Sequence, residues 1–334
     1  MKPAVSILIP AKNESLFIVD CLKSIQSQTF KDWEAIIIDD HSEDNTYNLV
    51  RSFSEQDSRV SIYKNESKGI IEALRLAFKR SNGALITRMD ADDLMLPEKL
   101  QVLSSALYKS GKGHIAVGGV KYFSEGMLGP GYTRYANWLN RLTLLGENFR
   151  DLYKECVIPS PSWMLFREDF LASGAFESAI YPEDYDLCFR FYRNGLKVIP
   201  NNHVVHLWRD YPERTSRNSK VYEDNTFSAL KLFYFLKLHY RQDSELVLWG
   251  TGARGKKLAA ELLAEGIPFH WMCNNPKKIG KHIYDQYIQP YENSFKLGDK
   301  QIVLTSGNLS FKKKVRHKLM EEGLTEFEDY FFFA

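Results

Sequence analysis

Short runs of β-branched and aliphatic residues alternate along this chain with segments whose apolar positions recur every three or four residues. Val5-Ser6-Ile7-Leu8-Ile9-Pro10 is the first such run, and its halt at proline predicts a buried strand ending in a loop. Phe17, Cys21 and Ile25, with Ile18 and Leu22 beside them, then share one helical face. Trp33 to Ile38 predicts a second strand that stops at Asp39-Asp40, and a Ser/Asp/Asn-rich turn leads into a helix from Asp44 to Phe53. A third strand is predicted at Val60 to Tyr63, a helix at Ile70 to Lys79, and a fourth strand at Ala84 to Met89, ending at Asp90. From Ile115 to Trp163 the pattern loses its period and gains glycines and aromatics, which predicts a loop-rich floor or lid without an assigned strand.

Val221 to Tyr240 predicts one long helix, apolar around much of its circumference, so it must cover another domain or another subunit. A new start follows. The strand Glu245 to Trp249 runs into Gly250-Thr251-Gly252-Ala253-Arg254-Gly255, then come a helix from Lys256 to Ala264 and a second strand near Phe269 to Met272. Strands alternating with helices imply an α/β protein with a mostly parallel sheet, helices on both faces, and ligands beyond the carboxyl ends of the strands. The expected division is residues 1–220, a helical linker at 221–243, and a small Rossmann-like α/β domain at 244–334.

A length of 334 residues agrees with two domains rather than one core. A net charge of +2 excludes a general attraction to nucleic acid, and Lys312-Lys313-Lys314 reads first as a solvated face. The four cysteines lack paired spacing for disulfides or zinc, which fits a reducing cytoplasm. No basic stretch followed by an apolar one opens the chain, and no uncharged apolar run approaches the ~20 residues that span a bilayer, so neither a signal peptide nor a membrane helix is expected.

Candidate chemistry gathers at the strand ends. Asp90-Ala91-Asp92-Asp93 offers carboxylate oxygens of the kind Mg²⁺ or Mn²⁺ prefers while leaving room for phosphate oxygens, although Asp92 or Asp93 could instead cap a helix near Pro97. Asp39-Asp40 falls at another carboxyl end, so two acidic groups should converge on one crevice; as an isolated pair it would read as a turn. Glu183-Asp184 follows Pro182 at a helix start, a position that complements the helix dipole without any catalysis or that presents a base.

Val5 to Pro10, Ser24-Ile25-Gln26-Ser27-Gln28-Thr29-Phe30, Trp33-Glu34, Asp39-Asp40-His41-Ser42 and Asp90-Ala91-Asp92-Asp93 occur in an order that resembles the family 2 inverting glycosyltransferases, over roughly residues 3 to 220. The resemblance implies the GT-A nucleotide-diphospho-sugar transferase fold, a UDP- or GDP-type donor, and a glycan or lipid-linked acceptor in bacterial-type surface polysaccharide assembly. It implies that Asp40 accepts a hydrogen bond from the base with Pro10, Ala11 and Glu14 around it, that Asp90 and Ala91 approach the ribose or sugar, and that Asp92 binds the cation. An acceptor-only carboxylate at Asp40 suits the imino N–H of uracil or guanine independently. By the same likeness Asp184 is the base, Glu183 meets acceptor hydroxyls, Arg209 and Arg214 face the diphosphate, and His206 or Asp210 completes the shell begun by Asp90 and Asp92. Lys68 pairs with a phosphate or is a surface lysine, and Trp163 stacks on a sugar or sits in the core. Ala73-Leu74-Arg75 departs from the family's arginine–asparagine pair at that point. A cytoplasmic site is implied, with peripheral attachment at the inner face of the membrane and homo-oligomerisation left open.

In the carboxy-terminal part, Gly250, Gly252 and Gly255 have the spacing of a phosphate-binding turn, but Cys273-Asn274-Asn275 stands where a ribose-binding acid is expected. That favours a structural or acceptor-binding module. Two other readings of the whole chain are an NAD-dependent nucleotide-sugar oxidoreductase or epimerase and a non-catalytic glycan-binding scaffold; the intact acids weigh against the latter.

Overall fold

A computed structural model describes every residue except Met1, Glu125, Thr215, Ser216 and 218–226. The chain divides into two compact units, one of residues 1–150 and 156–217, the other of residues 151–155 and 218–334. The segment expected as a separate linker thus belongs to the second unit, and the expected helix start at 221–226 lies outside the described residues.

In the first unit the strands are β1 (Val5–Ala11), β2 (Trp33–Asp39), β3 (Val60–Lys64), β4 (Leu85–Arg88), β5 (Leu94–Met95), β6 (His114–Val117), β7 (Gly119–Phe123), β8 (Trp163–Phe166), β9 (Lys197–Ile199) and β10 (Val204–Arg209). Seven of them form one sheet in the order β3-β2-β1-β4-β8-β6-β9. Every neighbouring pair is parallel except those made by β8, which runs against both β4 and β6. Ile7, Ile9, Ile37 and Leu85 are wholly enclosed, as expected of central strands covered on both faces.

The helices are α1 (Ile18–Gln26), α2 (Thr46–Ser54), α3 (Ile70–Arg80), α4 (Lys99–Ser110), α5 (Pro130–Leu145), α6 (Arg167–Ala172) and α7 (Glu183–Arg193). α1 turns Ile18, Cys21, Leu22 and Ile25 to the core, each side chain contributing roughly 1.5–3 kcal/mol of burial. Since α4 begins after Glu98, with β5 intervening, neither Asp92 nor Asp93 caps it.

The segment expected to be irregular contains β6, β7 and the 16-residue α5. β7 pairs with β10 and β10 with β5 in a second, three-stranded sheet. Asn140 on α5 behaves as a piece of strand here, accepting from Val120 N at 2.8 Å and donating to Val120 O at 2.9 Å. Tyr122, Leu139 and Trp208 cluster over this junction.

The second unit adds α8 (Ser228–Leu238), β11 (Glu245–Trp249), α9 (Ala253–Ala264), β12 (His270–Cys273), β13 (His282–Ile283), β14 (Gln286–Pro290), β15 (Lys300–Leu304), α10 (Leu309–Glu321) and β16 (Tyr330–Phe332). Its sheet runs β13-β14-β12-β11-β15-β16, parallel throughout apart from the β13–β14 hairpin. The apolar helix is covered inside its own unit: Phe235 on α8 meets Phe331 at 4.9 Å, and Tyr153 stacks on Phe333 at 5.0 Å. Lys312 is buried rather than solvated, unlike its exposed neighbours Lys313 and Lys314. Among the described residues no helix is long and apolar enough to cross a membrane.

Candidate functional site

The carboxyl ends of β1 and β2 lie in register, Ala11 opposite Asp39, and the next amide, Asp40 N, donates to Ala11 O at 2.8 Å. The Asp40 carboxylate accepts from Gly69 N at 2.9 and 3.1 Å and from Asn65 Nδ2 at 2.7 Å, tying the start of α3 to the end of β2. Gly69 has φ +111°, a conformation that L side chains rarely adopt. Lys68 beside it is exposed. The loop after β1 is laced to the loop after β2 by Asn13 N on Ser42 Oγ (3.0 Å), Glu14 N on Thr46 Oγ1 (2.7 Å) and Ser15 N on Asp44 Oδ2 (2.9 Å). Pro10 and Ala11 form the floor of this corner, and Asp39 Oδ1 is buried in it without a hydrogen-bond partner.

β4 delivers the second acidic group to the same corner. Burial raises the Glu14 carboxyl to about 8, reinforced by Asp92, Asp93, Asp44 and Asp90, so the two loops face each other as the parallel sheet requires. Asp92 rises to about 7, by burial first and then by Asp93. Its Oδ2 accepts from Tyr211 Oη at 3.1 Å, whereas Asp90 Oδ1 receives Arg88 at 3.1 Å from Nε and 3.0 Å from Nη2. Oδ1 of Asp92 and Oδ2 of Asp90 accept no hydrogen bond from a described residue.

These two carboxylates suit a hard cation that keeps phosphate and water oxygens in its remaining positions, and the mutual repulsion of Glu14, Asp90, Asp92 and Asp93 is what such a charge would relieve. Among the described residues no group of three or more His, Cys, Asp or Glu side chains is arranged to hold a metal ion.

His206, expected beside the cation, is wholly buried on β10 with Nε2 2.9 Å from Asp93 Oδ2, and desolvation drives its pKa well down; its Nδ1 is buried without a hydrogen-bond partner. Arg209, expected at the diphosphate, has its guanidinium 4.6 Å from the ring of Phe17 and 4.7 Å from that of Phe123, and its Nε donates to Asp92 O at 2.8 Å, which braces the acidic loop. Arg214 is half-buried with its charge toward Asp93, Asp92 and Asp90, a position compatible with a diphosphate. Asp210 is paired with Arg217 at 2.6 Å.

α7 opens after Pro182 with Glu183 and Asp184 in its first turn. Arg75 supports the approach to it, donating to Phe176 O and Glu177 O at 2.7 Å each; the departure from the family pattern at this position thus has a structural use. Glu183 Oε1 accepts from Arg88 Nη1 at 2.8 Å, and both side chains are buried. Glu183, expected at the acceptor hydroxyls, is thus paired with Arg88 through Oε1. The Asp184 carboxyl is raised to about 7 by burial and by Glu183, against the lowering pull of Arg88. Trp163 belongs to the core: it is 2% exposed on β8, with its ring 5.6 Å from Phe170 and 5.8 Å from Phe191.

Arg88 and Tyr211 are the site residues that sequence reasoning missed, together with the pairing of His206 to Asp93. Arg88 did carry a signal, since a cation inside an apolar strand must find buried carboxylates. Tyr211 and His206 reach the acidic loop across more than a hundred residues, with no local signature.

The profile of the family described as Glycosyl transferase family 2 matches residues 6–172. Over 107 residues the chain is 36% identical to the UDP-Glc:alpha-D-GlcNAc-diphosphoundecaprenol beta-1,3-glucosyltransferase WfgD of Escherichia coli, covering 32% of this chain and 42% of that enzyme. It is 30% identical over 119 residues to the GalNAc(5)-diNAcBac-PP-undecaprenol beta-1,3-glucosyltransferase of Campylobacter jejuni, 35% of this chain and 38% of the other. The chain thus spans less than half the length of these relatives. In fold it is similar to S. aureus TarS 1-349 in complex with UDP (TM-score 0.51, 18% identity, 78% of this chain and 71% of that one). It is likewise similar to the Pyrobaculum calidifontis mannosyltransferase PcManGT in complex with GDP-Man and Mn²⁺ (TM-score 0.52, 19% identity, 71% and 64%). The expected GT-A architecture is therefore present, and with the family profile covering residues 6–172 the chain belongs to glycosyltransferase family 2.

Proposed function

We propose that this chain transfers a sugar from a nucleotide-diphosphate donor to a hydroxyl of a glycan or lipid-linked acceptor, with inversion at the anomeric carbon. The observation that carries this reading is Arg88, a single buried guanidinium bonded both to Asp90 of the acidic loop and to Glu183 beside Asp184. The donor-side acids and the candidate base are thereby braced from one point.

In this reading Asp40 accepts from the base of the nucleotide, with Pro10, Ala11 and Glu14 around it and Lys68 at the rim. Asp90 and Asp92 hold Mn²⁺ or Mg²⁺, which when bound neutralises charge on the departing diphosphate. Arg214 adds a guanidinium on the same anion, and Asp184 takes the proton from the attacking acceptor hydroxyl. A leaving group stabilised in this way needs no second protonated carboxyl, so the other buried acid, Glu183, is free to neutralise Arg88. The names of the curated relatives, a UDP-Glc donor and diphosphoundecaprenol acceptors among them, support a UDP-type donor and a lipid-linked acceptor, which would bring the chain to the inner face of a membrane. We read the second unit as Rossmann-like on its strand order.

Donor turnover with Mn²⁺ or Mg²⁺ in the parent chain, Asp92→Ala and Asp184→Asn tests the assignment, with the anomeric configuration of the product read by NMR. Unchanged turnover in both variants, or a retained configuration, overturns it.

A further inference from the structure

The second unit contains a cavity of about 870 Å³ of which the proposed transfer makes no use. It lies at the carboxyl ends of β11, β12 and β15, where the strand order turns back on either side of β11, the crevice in which open parallel sheets bind ligands. We propose that it is a second nucleotide site, taking a nucleoside diphosphate by its phosphates on the Gly250–Gly255 turn.

Charge points to an anion. Arg254, Lys278 and Lys314 line the cavity, and none of its lining residues is an Asp, Glu or His. The turn is built for close approach. A Cβ at Gly250, whose φ is +137°, would lie 2.3 Å from Thr305 Oγ1, and one at Gly255 would lie 2.1 Å from Gly250 O, so both glycines are needed for the turn to close over α9. Gly252 caps α9 without a side-chain hydrogen bond, which leaves amides of the first turn to an anion. A Cβ there would meet open space.

The size of the cavity points to an occupant larger than a phosphate group. The volume lies within the usual range for small-molecule sites and far exceeds a pyrophosphate. Asn274 and Asn275 follow β12, where the ribose of a bound nucleotide lies, and their neutral amides both donate and accept. The missing carboxylate there disfavours NAD(H), whose ribose diol it would grip.

Calorimetric titration of the full chain with UDP, ADP, NADH and pyrophosphate, in EDTA so that the cation-dependent donor site is silent, tests the proposal. Gly252→Asp is the informative variant, because aspartate is a good helix cap and preserves the fold while repelling a phosphate. Arg254→Glu with Lys314→Glu, both exposed positions, is the second. The expected result is one nucleoside diphosphate bound per chain, at least tenfold weaker in each altered chain, with thermal unfolding and donor turnover unchanged and with pyrophosphate and NADH bound more weakly. Failure of UDP and ADP to bind at millimolar concentration, or equal affinity in the altered chains, overturns the proposal. So does pyrophosphate binding as tight as that of the nucleotide, or loss of binding on Asp40→Ala alone. Loss of transferase activity in Asp92→Ala or Asp184→Asn bears only on the first unit.

Discussion

Arg88 and Glu183 are joined by a 2.8 Å hydrogen-bonded ion pair across 95 residues of sequence, with both side chains buried. Removing one partner of such a pair leaves an uncompensated charge, so Arg88→Ala should cost about 3–5 kcal/mol in urea unfolding. It should also move the pH–rate profile. Arg88 holds the Asp184 pKa down, hence the acidic limb of turnover should shift to higher pH in the altered chain. A limb that stays in place would show that Asp184 does not govern it.

Asp184→Asn keeps shape and loses the base. A drop of about 10²–10⁴ in kcat is expected, with donor KM little changed. In the parent chain the carboxyl titrates near pH 7, so turnover should rise with pH through that value and level off above it. Steady-state kinetics from pH 5.5 to 8.5 measures both.

The acidic corner should make the cation-free chain lose stability as pH rises. Glu14 and Asp92 are raised from ordinary values of 4.5 and 3.8 to about 8 and about 7, so between about pH 4 and 8 the folded chain holds more protons than the unfolded one. Their contribution is complete below the unfolded values and lost as pH climbs through the folded ones. The unfolding midpoint in EDTA should therefore fall from pH 5.5 to 8.5, and Mn²⁺ or Mg²⁺ should restore it at the alkaline end, by about 2.7 kcal/mol at a hundredfold excess over Kd. Equal midpoints with and without the cation at pH 8.5 would contradict the cation assignment.

Asp40→Ala removes the acceptor for Gly69 N and Asn65 Nδ2 as well as the expected contact with the base. An increase of about tenfold or more in donor KM is expected, equivalent to roughly 1.4 kcal/mol, with kcat less affected.

Much of this arrangement was legible in the sequence. Buried parallel strands read as unbroken apolar runs, so β1, β2 and β4 and the acids at their ends were placed correctly. What escaped were roles decided by partners remote in the chain. The pairing of Glu183 with Arg88 and of His206 with Asp93 has no local signature, and Trp163, readable either as a stacking platform or as core, is placed in the core by Phe170 and Phe191. α5 escaped for a local reason: Gly131 and a high aromatic content blur its period, and Asn140 secures it by bonding to a strand edge.

The two short strands near the end of the first unit set the limits of its dissection. β9 completes the large sheet beside β6, and β10 carries His206 and Arg209 onto the loop of Asp92 and Asp93. A recombinant fragment trimmed to residues 6–172, where the family profile matches, would therefore lose more than the candidate base on α7. It would expose the flank of β6 to association with other chains and release the carboxylates that a cation needs held still. In swaps between relatives, the natural seam lies beyond Arg209.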